Sequence, residues 1–287
     1  MRLFRIALAA LTLVSSGALA EQAPEASPVA YAGFDSNLYP GDAALPELRK
    51  HFAFVGYWLT NPPGTNQNTW VGKRAVLLHQ GFGFVIVANG RLDAQIRRAG
   101  KQGKTPASLA REDAARIVAA AKREDFPPGA ILFLDQEEGG RLYPEQAAYL
   151  LAWTEAVAAS AYRPGVYASG KPVPDGNGPD GKPVTITTIQ DIRQQVAAKH
   201  LHEVAIWVIQ DTCPPAPGCV IQPPPAPDLS GTLDAVAWQY AQSPWERDLI
   251  QACVKTYAPS GNCELPGPAH VRVDLSSSNS PDPSHGR

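Results

Sequence analysis

Between residues 31 and 275, short apolar runs alternate with longer segments of helical periodicity, and this rhythm limits the chain to very few folds. Strands separated by helices belong to parallel sheets, because a parallel neighbour is reached only through a crossover long enough to hold a helix. The runs of strand character are 32–36, 54–60, 83–88, 130–137, 165–169, 204–210, 235–240 and 271–275. Eight such runs are the number that closes a sheet on itself. The expected class is therefore α/β, a single (β/α)8 TIM-like barrel, irregular where the runs are short. Helical spacing is clearest over 108–123, where Leu109, Ala114, Ile117, Val118 and Ala121 recur on one face and Pro127-Pro128-Gly129 ends the pattern. Further helices are expected over 144–160, with proline in the first turn, over 188–199 and over 245–257, with a short one over 45–52.

Arg2 and Arg5 precede an apolar run over 6–14, and small residues lead from Ser15 to Ala20, the pattern of a cleavable signal peptide over 1–20. That run is shorter than the ~20 residues a membrane span requires, and no later one is longer. The expectation is a secreted or periplasmic chain with no integral membrane segment after cleavage. Residues 21–30 read as a Pro/Ala-rich lead, 31–275 as the barrel, and 276–287 as a polar tail expected to be disordered. Cleavage removes two of the 25 basic side chains and none of the 27 acidic ones, taking the net charge from −2 to −4. With no basic run to meet phosphates, a nucleic-acid partner is not expected. In an exported chain, Cys213, Cys219, Cys253 and Cys263 are expected to form disulfides. Of the three possible pairings, Cys213 with Cys219 and Cys253 with Cys263 are favoured because each would pin a local loop. Their spacing does not suit zinc. A monomer without cofactor or metal is expected.

Ile131 to Leu134 read as a strand buried on both faces, and Asp135 and Glu137 follow at its carboxyl end. Residues two apart on a strand share a face, with Cα atoms about 6 to 7 Å apart, so both carboxyls can address one substrate while Glu138 alternates away. The ends of the other runs add Asp35, Trp58, Asn89, Arg91, Tyr167, Gln210, Asp211, Trp238, Gln239, Tyr240 and Asp274. Such a set is acidic and aromatic. Breaking a glycosidic bond needs a protonated acid at the leaving oxygen and an ionised carboxylate facing the sugar carbon, while Trp and Tyr offer flat apolar faces to sugar rings. Carboxyls crowded in one mouth also raise one another's pKa, which keeps an acid protonated.

The succession Gly33-Phe34-Asp35-Ser36-Asn37, Leu134-Asp135-Gln136-Glu137, Tyr162-Arg163-Pro164-Gly165-Val166-Tyr167, Ile206-Trp207, Trp238-Gln239-Tyr240 and Val273-Asp274-Leu275 resembles the strand-end series of family 25 lysozyme-type glycoside hydrolases. It resembles still more closely the related glycoside-hydrolase-like family known as domain of unknown function 1906. The resemblance implies a TIM-like barrel acting on peptidoglycan or another envelope glycan. It implies Glu137 as general acid/base, Asp135 as its partner, Asp35 as a positioning or charge-stabilising carboxylate and Asp274 as the acid of the last strand. Tyr167 and Trp238 match aromatic positions of the cleft. The chain departs from the lysozymes at Gln136, where they usually carry an apolar residue, at Leu38, where they often carry Gln, and in the prolyl insert before the seventh strand.

The resulting site has Glu137, Asp135 and Asp35 as catalytic residues, with Asp274, Tyr167, Trp238, Gln239, Trp58, Arg91 and Asn89 as substrate contacts. A barrel that binds glycan without turnover is the first alternative. A phosphodiesterase-type barrel holding calcium or magnesium on the same four acids is the second, and it lacks histidine at these strand ends. Trp70, Trp153 and Trp207 read as packing residues, and Arg91 and Arg141 as anion clamps or surface ion pairs. The Pro-, Gly- and Asn-rich segments 61–68, 171–183 and 212–230 each follow a strand and are expected as irregular loops around the mouth.

Overall fold

The computed structural model describes residues 30–211, 223–242 and 273–287. The expected signal segment, residues 21–29 of the lead, the four cysteines with both favoured pairings, and the expected helix over 245–257 all lie outside these residues.

The chain forms β1 (Tyr31–Asp35), α1 (Leu45–Leu48), β2 (Phe54–Trp58), α2 (Arg74–His79), β3 (Gly83–Asn89), α3 (Asp93–Gly100), α4 (Pro106–Arg123) and β4 (Ile131–Gln136). It continues through α5 (Pro144–Ala158), β5 (Arg163–Ser169), β6 (Val173–Asn177), β7 (Pro183–Ile186), α6 (Thr188–Ala198), β8 (Ala205–Ile209), β9 (Ala235–Ala241) and β10 (Asp274–Ser278). Eight strands close a barrel in the order β1-β10-β9-β8-β5-β4-β3-β2. Seven of them run parallel. β10 is antiparallel to both of its neighbours, β1 and β9, and this makes the TIM-like barrel irregular.

Local chemistry explains the element ends. Thr105 caps α4 by accepting from the Ser108 amide at 3.1 Å, with Pro106 in the first turn, so the helix begins three residues before Leu109, the first residue of its apolar stripe. Thr187 caps α6 in the same way through the Gln190 amide. β3 and β4 are buried along almost their whole length, as strands covered by barrel filling inside and helices outside must be. Inside the barrel the Phe133 ring reaches across β5 to Trp207, with centroids 6.1 Å apart. Gly165 permits this, since a Cβ there would lie 2.7 Å from Phe133. The segment 171–183 is not irregular throughout. It contributes an exposed hairpin, β6 with β7, whose Asp175 pairs with Arg141 at 2.7 Å; Arg141 also holds Asp191 and is an ion-pair residue.

The tail departs most from expectation. Residues 276–278 belong to β10, and the chain beyond them folds beneath the barrel instead of being disordered. β3 extends below the start of β4, which leaves backbone groups of Phe84 and Ile86 without a strand partner. Asp282 Oδ1 accepts from the Phe84 amide at 2.9 Å, and Ser284 Oγ accepts from the Ile86 amide at 2.9 Å. The Ser284 amide donates to the Phe84 carbonyl and its carbonyl accepts from the Ile131 amide, both at 2.8 Å. Unpaired buried backbone groups are costly, so a polar segment able to complete the ladder is ordered despite its composition. Gly83 leaves the room, because a Cβ there would lie 2.0 Å from the Pro281 carbonyl oxygen.

Candidate active site

The carboxyl ends of the seven parallel strands share one rim. Asp35 ends β1, Asp135 lies near the end of β4 and Glu137 follows it, while Tyr167 and Gln239 come from β5 and β9. Asp274 was expected to end a parallel strand. It instead opens β10, and the reversed direction of that strand still brings it to the rim, in register opposite Asp35. Two glycines make space for the acids. A Cβ on Gly56 would lie 2.4 Å from the Asp35 Cβ, and one on Gly90 would lie 2.2 Å from the Asp135 carbonyl oxygen.

Asp35, Asp135, Glu137 and Asp274 line one cavity of about 60 Å³, walled by Trp58, Tyr167, Trp207 and Gln239. The Tyr167 hydroxyl donates to Gln239 Oε1 at 2.7 Å, and Gln239 Nε2 donates to Asp35 Oδ1 and Oδ2 at 3.0 and 3.2 Å. This relay fixes Asp35. Asp135 is buried, and its Oδ1 has no hydrogen-bond partner among the described residues; the same holds for the Trp58 indole N–H.

Burial pushes the Asp35 carboxyl well above the ordinary carboxylate range, and the nearby charges of Asp274, Asp135 and Glu137 add to the rise against the opposing Gln239 hydrogen bond. Asp135 is raised strongly by burial and then by Glu137. Glu137 is exposed as a residue, yet the carboxyl it places in the cavity wall is desolvated enough to be raised as well. Tyr167 is held neutral by burial and the surrounding acids. Asp135 and Glu137 therefore titrate as a pair that keeps a proton where ordinary carboxyls are ionised.

A carboxyl raised in the fold favours the folded state below its unfolded pKa, and that contribution is lost as pH rises toward the folded pKa. Asp35→Asn, which keeps an acceptor for Gln239, is accordingly expected to raise the melting temperature by several degrees at pH 7. The gain should shrink toward acid pH, where wild-type Asp35 is itself protonated. Paired thermal melts across pH check this, and a gain that grew toward acid would refute the assigned direction.

Of the other expected contacts, Asn89 and Arg91 line a second cavity of about 180 Å³ that meets the first at Pro63, Asp135 and Glu137. The Arg91 guanidinium is held by Asp113 through two bonds, at 2.5 and 2.9 Å. Trp238 is not brought into the site. Its indole N–H donates to the Gln210 carbonyl at 3.0 Å and its ring packs on Tyr240, because alternation along β9 turns Gln239 inward and its neighbours outward. Trp207, read as a packing residue, is part of the wall. It stands in register with Tyr167, with ring centroids 4.6 Å apart, and its N–H donates to Ser276. Asn37, Pro63 and Gln242 also line the cavity without having been singled out. Asn37 sat within the first strand-end motif; Pro63 reaches the site through loop closure, held by the Asn37 amide donating to its carbonyl at 3.1 Å. Glu138 points away, accepting from the Asp93 amide and from Gln146. Trp70 and Trp153 are fully buried packing residues. Among the described residues, no group of three or more His, Cys, Asp or Glu is placed to hold a metal ion.

An uncharacterized protein of B. stearothermophilus superposes with a TM-score of 0.50 at 19% identity, covering 86% of this chain and 95% of its own. The Tat-secreted protein Rv2525c of Mycobacterium tuberculosis, solved in complex with L-tartrate, superposes with a TM-score of 0.50 at 12% identity, covering 88% and 96%. No curated protein matches the sequence. Residues 49–217, more than half of the chain, match the family model described as Rv2525c-like, glycoside hydrolase-like domain. This segment contains Asp135, Glu137, Tyr167 and Trp207, and the barrel closes Asp35, Gln239 and Asp274 onto them from outside it. By that match, the chain belongs to the Rv2525c-like family of glycoside hydrolase-like domains.

Proposed function

We propose that this barrel is an exported glycoside hydrolase that cleaves peptidoglycan or a related envelope glycan. The observation that carries the reading is the convergence of four carboxyls in one aromatic-walled cavity at the barrel mouth, with Asp35, Asp135 and Glu137 raised above the ordinary carboxylate range. Glu137, the exposed member of the coupled pair, protonates the glycosidic oxygen as its bond to the sugar carbon breaks. The positive charge developing on that carbon faces an ionised carboxylate, Asp135 or Asp35. Water then adds to the carbon and gives its proton to the Glu137 carboxylate, which restores the acid. Trp58, Tyr167 and Trp207 offer ring faces to the sugar, Gln239 holds Asp35 in place, and Asp274 adds a further carboxyl to the cavity wall. Removal of residues 1–20, a single domain over 31–278 closed from below by 279–287, and action as a monomer complete the proposal.

A second reading, glycan binding without turnover, is favoured by the narrowness of the space above the acids, about 60 Å³. Incubation of the full chain with purified peptidoglycan separates the two. New reducing ends that accumulate with time support hydrolysis. Saturable binding with no new reducing ends supports the second reading.

A further inference from the structure

A third cavity, of about 490 Å³, continues the groove away from the acids and shares Asn89, Gly90, Arg91 and Gln95 with the second. Its outer wall is one stripe of α4, in which Asp113, Arg116, Ala120 and Arg123 recur at helical spacing. Asp113 is buried and accepts from Arg91, Arg116 and the Tyr149 hydroxyl, so it serves as an anchor that fans two guanidinium groups outward. Their side chains stay 29% and 62% exposed, enough to take a further ligand. Arg123 is exposed and has no ion-pair partner among the described residues. Three guanidinium groups against one carboxylate leave an excess of two positive charges. Arg116 and Arg123 are about 10 Å apart along the helix at 1.5 Å per residue, so the positive charge extends along the groove.

The groove is therefore strongly polarised, acidic at Asp135 and Glu137 and cationic along α4. An anionic substituent would be repelled at the first end and met by forked donors at the second. We propose that the arginine groove of Arg91, Arg116 and Arg123 binds carboxylate substituents of the glycan whose linkage lies over Asp135 and Glu137, so that the substrate is an acidic glycan bound in one direction. This deepens the hydrolase reading and rests on it for the placement of the linkage.

The test uses the full chain carrying Glu137→Gln, alone and combined with Arg123→Gln or with Arg116→Gln and Arg123→Gln. Citrate is titrated first, as a carboxylate probe that needs no glycan. Soluble peptidoglycan fragments with peptide stems, the same glycan freed of its stems, and a uronic acid oligosaccharide follow, at low and high salt. Expected are saturable citrate binding that weakens about tenfold or more per arginine removed, the same loss for one of the acidic glycans, and unchanged affinity for the neutral one. Which acidic glycan responds tells whether the carboxylates come from peptide stems or from uronic acids. Absence of saturable citrate binding, or an equal loss for neutral and acidic glycans, overturns the proposal. Arginine-dependent citrate binding together with no binding of any glycan keeps the oxyanion groove and overturns the glycan reading beneath it.

Discussion

Glu137→Gln is expected to lower glycan hydrolysis by about 10²- to 10⁴-fold, the span over which a positioned acid contributes, while the affinity for glycan changes little. The amide keeps the size and hydrogen-bonding reach of the side chain but cannot give up or take back a proton. Glu137 lies beyond the last residue of β4 and is exposed, so the substitution leaves the barrel intact. It also removes the charge that raises its buried neighbour, and the Asp135 carboxyl should move back toward the ordinary range. Reducing-end assays paired with binding measurements check the first effect, and carboxyl-selective NMR titration checks the second. Full hydrolysis by the variant would remove Glu137 from the chemistry.

Deleting residues 279–287 is expected to destabilise the barrel by about 4 kcal/mol, taking ~1 kcal/mol for each backbone hydrogen bond that Asp282 and Ser284 complete on Phe84, Ile86 and Ile131. Two further contacts go with the tail, the Arg74 guanidinium on the Gly286 carbonyl at 2.8 Å and Arg287 on the Gly81 carbonyl at 2.9 Å. Ser284 is fully buried, so the deletion also opens the barrel floor to water. Gly83→Ala separates this role from simple shortening, since its methyl would displace Pro281 while every tail residue remains. It is expected to cost about 1–3 kcal/mol, as overpacking does. Denaturant unfolding measures both. A truncated chain as stable as the full one would mean that the tail does not hold β3 and β4 together.

Much of the architecture was legible because burial writes itself as periodicity. Seven of the eight strand runs match barrel strands within a few residues, and the acids at their ends do converge. β10 was harder to place. After Leu275 its buried residues on both faces are Ser276, Ser277 and Ser278, which carry no apolar signal, so neither its extent nor its direction shows in composition. The tail was misread for the same reason, because its order comes from completing a backbone ladder and not from burying hydrocarbon. Trp207 and Trp238 exchanged roles through parity alone. One residue of register decides which face an aromatic takes, and register is fixed by the pairing of β5, β8 and β9, which is a property of the closed barrel. The basic stripe of α4 was missed because its arginines are spread over helical turns and meet Arg91 only across the groove.

In the proposed reaction the carboxyls at the barrel mouth hold the proton that breaks a glycosidic bond. The pH dependence of reducing-end release from purified peptidoglycan by the wild-type chain tests this. A raised acid predicts a bell whose alkaline limb lies well above the ordinary carboxylate range of about 4 and which disappears in Glu137→Gln. Release that is absent at every pH, or that rises to a plateau with no alkaline limb and persists in the variant, would contradict it.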